Sequence, residues 1–319
     1  MTAYIFPSLF SLLHQVIDYA GLFPPADLPL ETAMQNFIRY QAWPERWMLA
    51  RFILPTAKLG ELTQLCEGGL TWEGTLGFSV LGATNPAMFR AGVAQDVAMV
   101  KDFRARFGAR VRCEVYETRF LNMERKETAL GMLEEVIPIL TEAGMMPFFE
   151  APFGKGWEAR AEALIQALAE VSSPLRAGFK LRTGGVMANA FPTPEQVAWA
   201  LCACREAGVP LKCTAGLHHP VRSFRAEVGT KMHGFLNVFV AGVLARARGL
   251  DQAEVGQILA EEDPAGFAFS ATEVAWRGWR ATTAEVEAAR REGIISFGSC
   301  SFEEPKEDLG ALGLSLIKS

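Results

Sequence analysis

Two lysines and an arginine alternate with apolar residues in two short segments, a pattern suited to binding or attacking a small anionic molecule. Gly178–Thr183 contains Lys180 and Arg182, and Leu211–Ala215 contains Lys212. Successive side chains of a β-strand point to opposite faces, so apolar neighbours on the outer face place these cations on the inner face. Burial of an unpaired charge costs several kcal/mol, and the pattern therefore indicates either ion pairs or a functional site.

Imine formation is one chemistry that two neighbouring lysines support. Each ammonium group lowers the pKa of the other, which leaves one amine neutral and nucleophilic. We predict that one of the pair Lys180 and Lys212 is able to attack a carbonyl carbon. Glu150 and His218 are the predicted proton-transfer groups. The alternative is that both lysines lie at exposed strand ends and form ordinary salt bridges.

The elements that must position these residues alternate along the chain. Short apolar segments predict strands, and longer helical patterns lie between them. The alternation predicts a parallel sheet, and eight strands without a G-x-G-x-x-G turn favour a closed barrel over an open dinucleotide-binding sheet. We therefore expect an α/β fold, a (βα)8 TIM barrel forming one domain over 1–319. The predicted strands are Val16–Gly21, Trp47–Leu54, Leu76–Gly82, Val111–Glu117, Pro147–Glu150, Gly178–Thr183, Leu211–Ala215 and Ile294–Gly298.

The repeat is interrupted once, between the seventh and eighth predicted strands. Residues 221–292 are far more than one crossover needs, and their patterns predict helices over Lys231–Arg248, Asp251–Glu261 and Thr282–Glu292. We expect this helical insertion to cover or flank the barrel mouth, or to form the interface of a homo-oligomer.

Carboxylates on other predicted strands provide counter-charges for the lysines. Asp18 lies on the first strand, and the fourth strand carries two glutamates. Alternation predicts that Glu114 and Tyr116 face the interior of the barrel. Glu117 then reaches the mouth at the point where the strand ends.

Glycine-containing turns follow the last three strands, and the turns after strands seven and eight are the usual phosphate cradle of this fold. Backbone N–H groups and hydroxyls would bind the anion there, although glycine also serves turn geometry alone. The predicted substrate is a small anion, held by Arg51, Arg182, Thr183, Gly184, Thr214, Gly216, His219, Ser296, Gly298 and Ser299.

Histidine and cysteine residues near these turns suggest a second kind of chemistry. His218 and His219 follow the seventh strand, and Cys300 follows the eighth. We expect no cofactor. The alternative to this expectation is a divalent metal held by His218, one carboxylate and water. A lone cysteine such as Cys300 is more typical of a structural residue than of a nucleophile.

Composition excludes several other classes of function. The formal net charge of −5 and the mixed charges give no reason to expect a nucleic-acid partner. The chain has no uninterrupted apolar stretch of the length that a membrane span requires. Its six cysteines are scattered without paired spacing, which fits a reducing cytoplasm rather than a disulfide framework.

Three motifs together resemble the last three strands of deoxyribose-phosphate aldolases and related Schiff-base aldolases. They are Phe179–Gly184, Leu211–Gly216 and Ser296–Ser299, and they cover only a small part of the chain. The resemblance implies that Lys180 forms the imine, that Lys212 tunes its pKa, and that the turn at 298–299 holds a phosphate. The chain departs from that family at Arg182, at 218–219 and in its long insertion. As a whole it is similar to bacterial (βα)8-barrel proteins of no assigned activity.

Three functional hypotheses follow from these residues. The first is a Schiff-base lyase of the aldolase type, acting on a small phosphorylated or carboxylated carbonyl compound. The second is an acid–base or metal-dependent barrel enzyme in which Lys180, Lys212 and Arg182 clamp an anion without an imine. The third is a non-catalytic ligand-binding barrel.

Overall fold

A closed barrel of eight parallel strands forms the centre of the molecule in the computed structural model, which describes residues 3–82, 88–120, 123–171, 176–314 and 317–318. A short pair of β1 (Ala3–Tyr4) with β15 (Ile317–Lys318) lies outside it. The barrel strands follow one another in chain order, and the last of them closes against the first, which confirms the predicted (βα)8 fold. They are β2 (Ile17–Tyr19), β3 (Leu49–Pro55), β4 (Leu76–Leu81), β5 (Val111–Arg119), β6 (Met146–Glu150), β7 (Gly178–Arg182), β8 (Leu211–Thr214) and β14 (Ile294–Ser299).

Helices cover the outside of the barrel because each presents an apolar face to it. In α2, for example, Leu30, Ala33, Met34, Phe37 and Tyr40 recur at helical spacing and are all buried. No helix in the described ranges is both long and apolar enough to cross a membrane. The helices are α1 (Pro7–Leu13), α2 (Leu30–Tyr40), α3 (Leu59–Glu67), α4 (Phe89–Phe107), α5 (Lys126–Glu142), α6 (Trp157–Glu170), α7 (Pro194–Glu206), α8 (Phe235–Arg248), α9 (Gln252–Ala260), α10 (Thr283–Glu292) and α11 (Glu303–Ala311).

The insertion between β8 and β14 contains strands as well as the three predicted helices. A hairpin precedes α8, and a three-stranded antiparallel sheet joins α9 to α10. The helix predicted from Lys231 begins instead at Phe235, because Lys231 belongs to the hairpin. Purely helical content was therefore a wrong expectation for this segment. The additional strands are β9 (Ser223–Arg225), β10 (Thr230–Met232), β11 (Phe267–Phe269), β12 (Glu273–Trp276) and β13 (Trp279–Thr282).

Much of the insertion packs against the side of the barrel. Phe235 and Phe239 of α8 lie against Phe297 of β14, with ring centroids 5.5 and 5.7 Å apart. The three-stranded sheet reaches α1, where the Ser8 amide donates to the Ser270 carbonyl at 3.2 Å. The insertion thus supplies part of the helical layer beside β14.

A β-bulge in β5 decides which of its side chains enter the barrel. Phe78 and Ser79 of β4 are consecutive, yet they pair with Cys113 and Val115, so Glu114 is an extra residue in β5. An extra residue reverses the inward and outward alternation of everything that follows it. Glu114 is exposed, and the residues after the bulge face opposite to the prediction.

The reversed alternation corrects two predictions for this strand. The Tyr116 hydroxyl lies in the helix layer and donates to Asp96 of α4 at 2.7 Å, so neither Tyr116 nor Glu114 faces the interior. Glu117 faces the interior in their place and is fully buried.

Candidate active site

A pocket of about 500 Å³ opens at the carboxyl ends of the barrel strands. This volume lies within the range of small-molecule sites in proteins. Its polar floor and walls come from β5, β6, β7 and β8, and its apolar wall comes from the loop after β2 and from β3 and β4. The predicted site residues that line it are Glu150, Lys180, Arg182, Thr214, Gly216, His218 and Gly298.

Lys180 and Lys212 both point into the barrel and are joined by one carboxylate. The Lys180 amino nitrogen lies 3.1 Å from one oxygen of Glu117, and the Lys212 amino nitrogen lies 2.6 Å from the other. Lys180 and Lys212 are also register neighbours on adjacent strands. The side chains of Lys180 and Lys212 are 7 % and 1 % exposed, and of the two Lys180 lines the pocket.

Lys212 is held beneath the pocket by a buried polar cluster. Its amino group donates to Asp18, and the Ser296 hydroxyl donates to the same Asp18 oxygen at 2.6 Å. The guanidinium of Arg51 lies 3.3 Å from the second Asp18 oxygen. Lys212, Ser296 and Arg51 therefore form a supporting layer under the pocket and do not line it.

Glu150 connects Lys180 to two arginines on the other side. It lies 3.2 Å from the Lys180 amino nitrogen, and its second oxygen lies 3.7 Å from Arg182 Nε and 3.9 Å from Arg119 Nε. Arg119, Glu150 and Lys180 are register neighbours on three successive strands. One carboxylate thus positions three cationic groups at the edge of the pocket.

The carboxylates set the charge of Lys180. Burial alone would lower the pKa of its ammonium group, but Glu117 and Glu150 outweigh burial and raise that pKa above the usual value. Burial likewise works against the charged form of Glu117, yet Lys212 and Lys180 hold its pKa down at about 2. The expected lowering of the Lys180 pKa by Lys212 is therefore wrong, because Glu117 lies between the two ammonium groups.

The rim beside β8 and β14 carries a histidine whose pKa is raised by its neighbours. The His218 ring lies 3.1 Å from Glu304 of α11 and 3.9 Å from the Cys300 sulfur. Burial would lower the pKa of His218, but these two partners raise it to about 9. His218 is thus a cation at neutral pH, paired with the carboxylate that follows the β14 turn.

Four residues predicted to bind the anion make close contacts within the protein. The Thr183 hydroxyl donates to the Thr214 carbonyl at 3.1 Å, and the Ser299 hydroxyl donates to the Ser301 carbonyl at 2.7 Å. His219 lies 2.6 Å from Asp308. At Gly184, an added Cβ would lie 2.8 Å from the Gly216 backbone, so this glycine permits close contact between two loops. The four residues are Thr183, Gly184, His219 and Ser299.

Some residues of the site were not recognised from the sequence. Ser79, which donates to Glu117 at 2.5 Å, was detectable as the polar residue in an otherwise apolar strand. Arg119 was missed because β5 runs two residues further than predicted. The apolar wall formed by Phe23, Pro24 and Pro25 carries no signal of its own in the sequence.

Within the described ranges, no three His, Cys, Asp or Glu side chains are grouped in a way that could hold a metal ion. Comparison of the chain with protein-family models and with curated protein sequences gives no match.

Proposed function

We propose that this barrel is a Schiff-base lyase acting on a small anionic carbonyl compound, with Lys180 as the amine. The observation that carries the proposal is the position of Lys180, whose amino group lines the pocket between Glu117 and Glu150. Lys212, its register neighbour on β8, is linked to it through Glu117. An unpaired buried charge is costly. The carboxylate partners of Lys180 and Lys212 offset that cost and so allow two charged lysines to lie at the base of the pocket.

Proton transfer from Lys180 is the first requirement of this chemistry, because only the neutral amine attacks a carbonyl carbon. Glu150 lies 3.2 Å from the amino nitrogen and is the base in reach. The amine nitrogen then bonds to the carbonyl carbon, and the carbonyl oxygen leaves as water after receiving two protons. The resulting iminium accepts the electron pair of the bond between its α and β carbons when that bond breaks, which gives an enamine. A hydroxyl on the β carbon gives up its proton to a base and becomes the carbonyl of the released fragment. Protonation of the enamine and hydrolysis of the iminium by water then free the Lys180 amine.

An excess of positive charge suits an anionic substrate. Cationic side chains outnumber the buried carboxylates Asp18, Glu117 and Glu150, which favours entry of an anion. The cations in this network are Arg51, Arg119, Lys180, Arg182 and Lys212.

A second candidate is favoured by the raised pKa of Lys180. A permanently charged Lys180 would act with Arg182 as an anion clamp, and no imine would form. His218, with a pKa of about 9, would then be the proton donor and Glu150 the base. This enzyme would be an isomerase, lyase or hydrolase working by acid–base catalysis.

Reductive trapping distinguishes the two candidates. The protein is incubated with cyanoborohydride and a panel of small oxo acids, aldehydes and their phosphates, and the modified peptide is located by mass spectrometry. We expect an adduct on Lys180 that is lost in Lys180→Arg. The exposed Lys155 is the control for non-specific alkylation. An anion that binds in the pocket without any adduct on Lys180 would support the second candidate, and binding without turnover of any compound would indicate a ligand-binding barrel.

A further inference from the structure

Some of the polar groups in the turn after β14 are paired within the protein. The hydroxyl of Ser299 donates to Ser301, whose own hydroxyl accepts the Glu304 amide at 3.1 Å. Two carboxylates, Glu303 and Glu304, stand in the first turn of α11, and one of them pairs with His218. Negative charge at this place repels a dianion, which disfavours a phosphate at the usual position of the fold.

Arginines on the opposite side of the pocket offer a better anion site. Arg182 lies two residues beyond Lys180 on β7, about 7 Å further along the strand. Arg119 approaches the same edge from β5, and Glu150 contacts both arginines through their Nε atoms. The side chains of Arg182 and Arg119 are 26 % and 59 % exposed. A guanidinium fork matches a carboxylate, and the short distance from Lys180 suits a carboxylate close to the carbonyl carbon.

An apolar wall forms another part of the same pocket. It consists of Phe23, Pro24 and Pro25 from the loop after β2, together with Ile53 of β3 and Leu81 of β4, and Val186 from the loop after β7 adds to the apolar lining. A polyhydroxylated chain placed here would lose hydrogen bonds to water, whereas an aliphatic or aromatic group would gain by burial.

We infer that the substrate class is short oxo acids that carry an apolar substituent, with the carboxylate bound by Arg182 and Arg119 and the substituent packed on Phe23. The carbonyl part of this inference rests on the proposed imine chemistry. The preference for an apolar carboxylate over a phosphate rests on the arginines, the apolar wall and the carboxylates beside the β14 turn.

Binding measurements with matched probes test the inference. The probes are 4-methyl-2-oxopentanoate, pyruvate, 2-hydroxy-4-methylpentanoate, inorganic phosphate and glycerol 3-phosphate, measured by calorimetry. We expect the two branched acids to bind more tightly than both phosphates. Arg182→Gln and Arg182→Lys should weaken the branched acids by about tenfold or more, because the forked charge-assisted contact is lost. Arg112→Gln, at the exposed opposite end of β5, is the matched control and should change nothing.

The apolar wall is tested by Phe23→Ala. This variant should weaken 4-methyl-2-oxopentanoate severalfold while leaving pyruvate unchanged, since only the first probe reaches the wall. Tighter binding of glycerol 3-phosphate, or full affinity of the branched acids for Arg182→Gln, would overturn the inference.

The hydroxy acid separates this inference from the proposed function, because it lacks the ketone group and therefore forms no imine. If the hydroxy acid binds in an arginine-dependent way and the oxo acid is not trapped, the imine proposal is wrong and the inferred substrate class is retained. If the oxo acid is trapped on Lys180 equally well in the Arg182 and Phe23 variants, the imine proposal is retained and the inferred substrate class is wrong.

Discussion

The carboxylate of Glu117 lies 3.1 Å from the amino nitrogen of Lys180, on a strand whose sequence alternation points this glutamate away from the barrel. The extra residue Glu114 in β5 reverses the alternation and brings Glu117 inside. There it contacts Lys212 and Lys180 together and accepts from Ser79. A single bulge therefore creates the link between the two lysines.

Replacement of Glu117 by glutamine should destabilise the protein strongly. The Glu117→Gln variant removes the negative charge that the two buried ammonium groups share. Breaking a buried ion pair costs about 3 kcal/mol or more. The free energy of unfolding, measured by urea titration, should fall by about that amount. Glu114→Gln makes the same change on the same strand at an exposed position, and we expect its effect to stay within about 0.5 kcal/mol. Equal losses in the two variants would show that Glu117 is not the buried partner.

Acid titration should reveal the same carboxylate. Glu117 has its pKa lowered from 4.5 to about 2, so its contribution to stability is fully present above pH 4.5 and is lost as the pH falls towards 2. We expect the free energy of unfolding to fall across this window in the wild-type protein, and to fall less steeply in Glu117→Gln. Parallel curves for the two proteins would mean that the native pKa of Glu117 is not lowered.

Regular strands made much of the site predictable. In β7 and β8 the alternation runs without interruption, so Lys180, Arg182 and Lys212 face inward as their apolar neighbours indicate. All eight barrel strands lie within two residues of their predicted ends for the same reason, since each is a short apolar segment bounded by turns.

Other features depended on contacts that the sequence does not display. The bulge at Glu114 is visible only when the partner strand β4 is aligned with β5. The hydroxyls of Thr183 and Ser299 are occupied by carbonyls that only the folded loops bring near. Strands of three or four residues, such as β11 and β13, are too short for alternation to distinguish them from loops.

The charge of His218 gives a prediction for alkaline pH. Its pKa is raised from 6.5 to about 9, because Cys300 and Glu304 outweigh burial, which alone would lower it. The stabilisation, on the order of 3 kcal/mol, is fully present below pH 6.5 and is lost as the pH rises through 9. Ring-proton NMR should show a His218 midpoint near pH 9, and a His218→Asn variant should lose less stability between pH 6.5 and 9.5.

Glu304→Gln tests the cause of that shift. Loss of this carboxylate should move the His218 midpoint downward, since the imidazolium loses its charged partner. Glu303→Gln removes the neighbouring carboxylate, which pairs with Arg39 instead, and should leave the midpoint nearly in place. If both substitutions move the His218 midpoint equally, the shift would come from the combined negative charge of α11 rather than from the contact between His218 and Glu304.

Asn237 should be the most sensitive polar residue of the insertion. It is fully buried in α8, its carbonyl oxygen accepts the Arg222 amide at 2.9 Å, and its amide nitrogen donates to the carbonyls of Ile258 and Glu261 at 2.8 Å each. It therefore joins the approach to the hairpin, α8 and the end of α9.

In Asn237→Ala these three backbone groups lose their partner in a dry environment, where an unsatisfied group costs about 1–3 kcal/mol. We expect the free energy of unfolding to fall by about 3 kcal/mol, and hydrogen exchange to accelerate first at the amides of α9 and at Arg222. Asn189→Ala, at an exposed position after β7, should change stability by no more than about 0.5 kcal/mol. Two carbonyls at the end of α9 lose their donor in this variant, so α9 should be released locally. If exchange instead accelerated across the barrel strands with α9 unchanged, the insertion would be held by contacts other than those of Asn237.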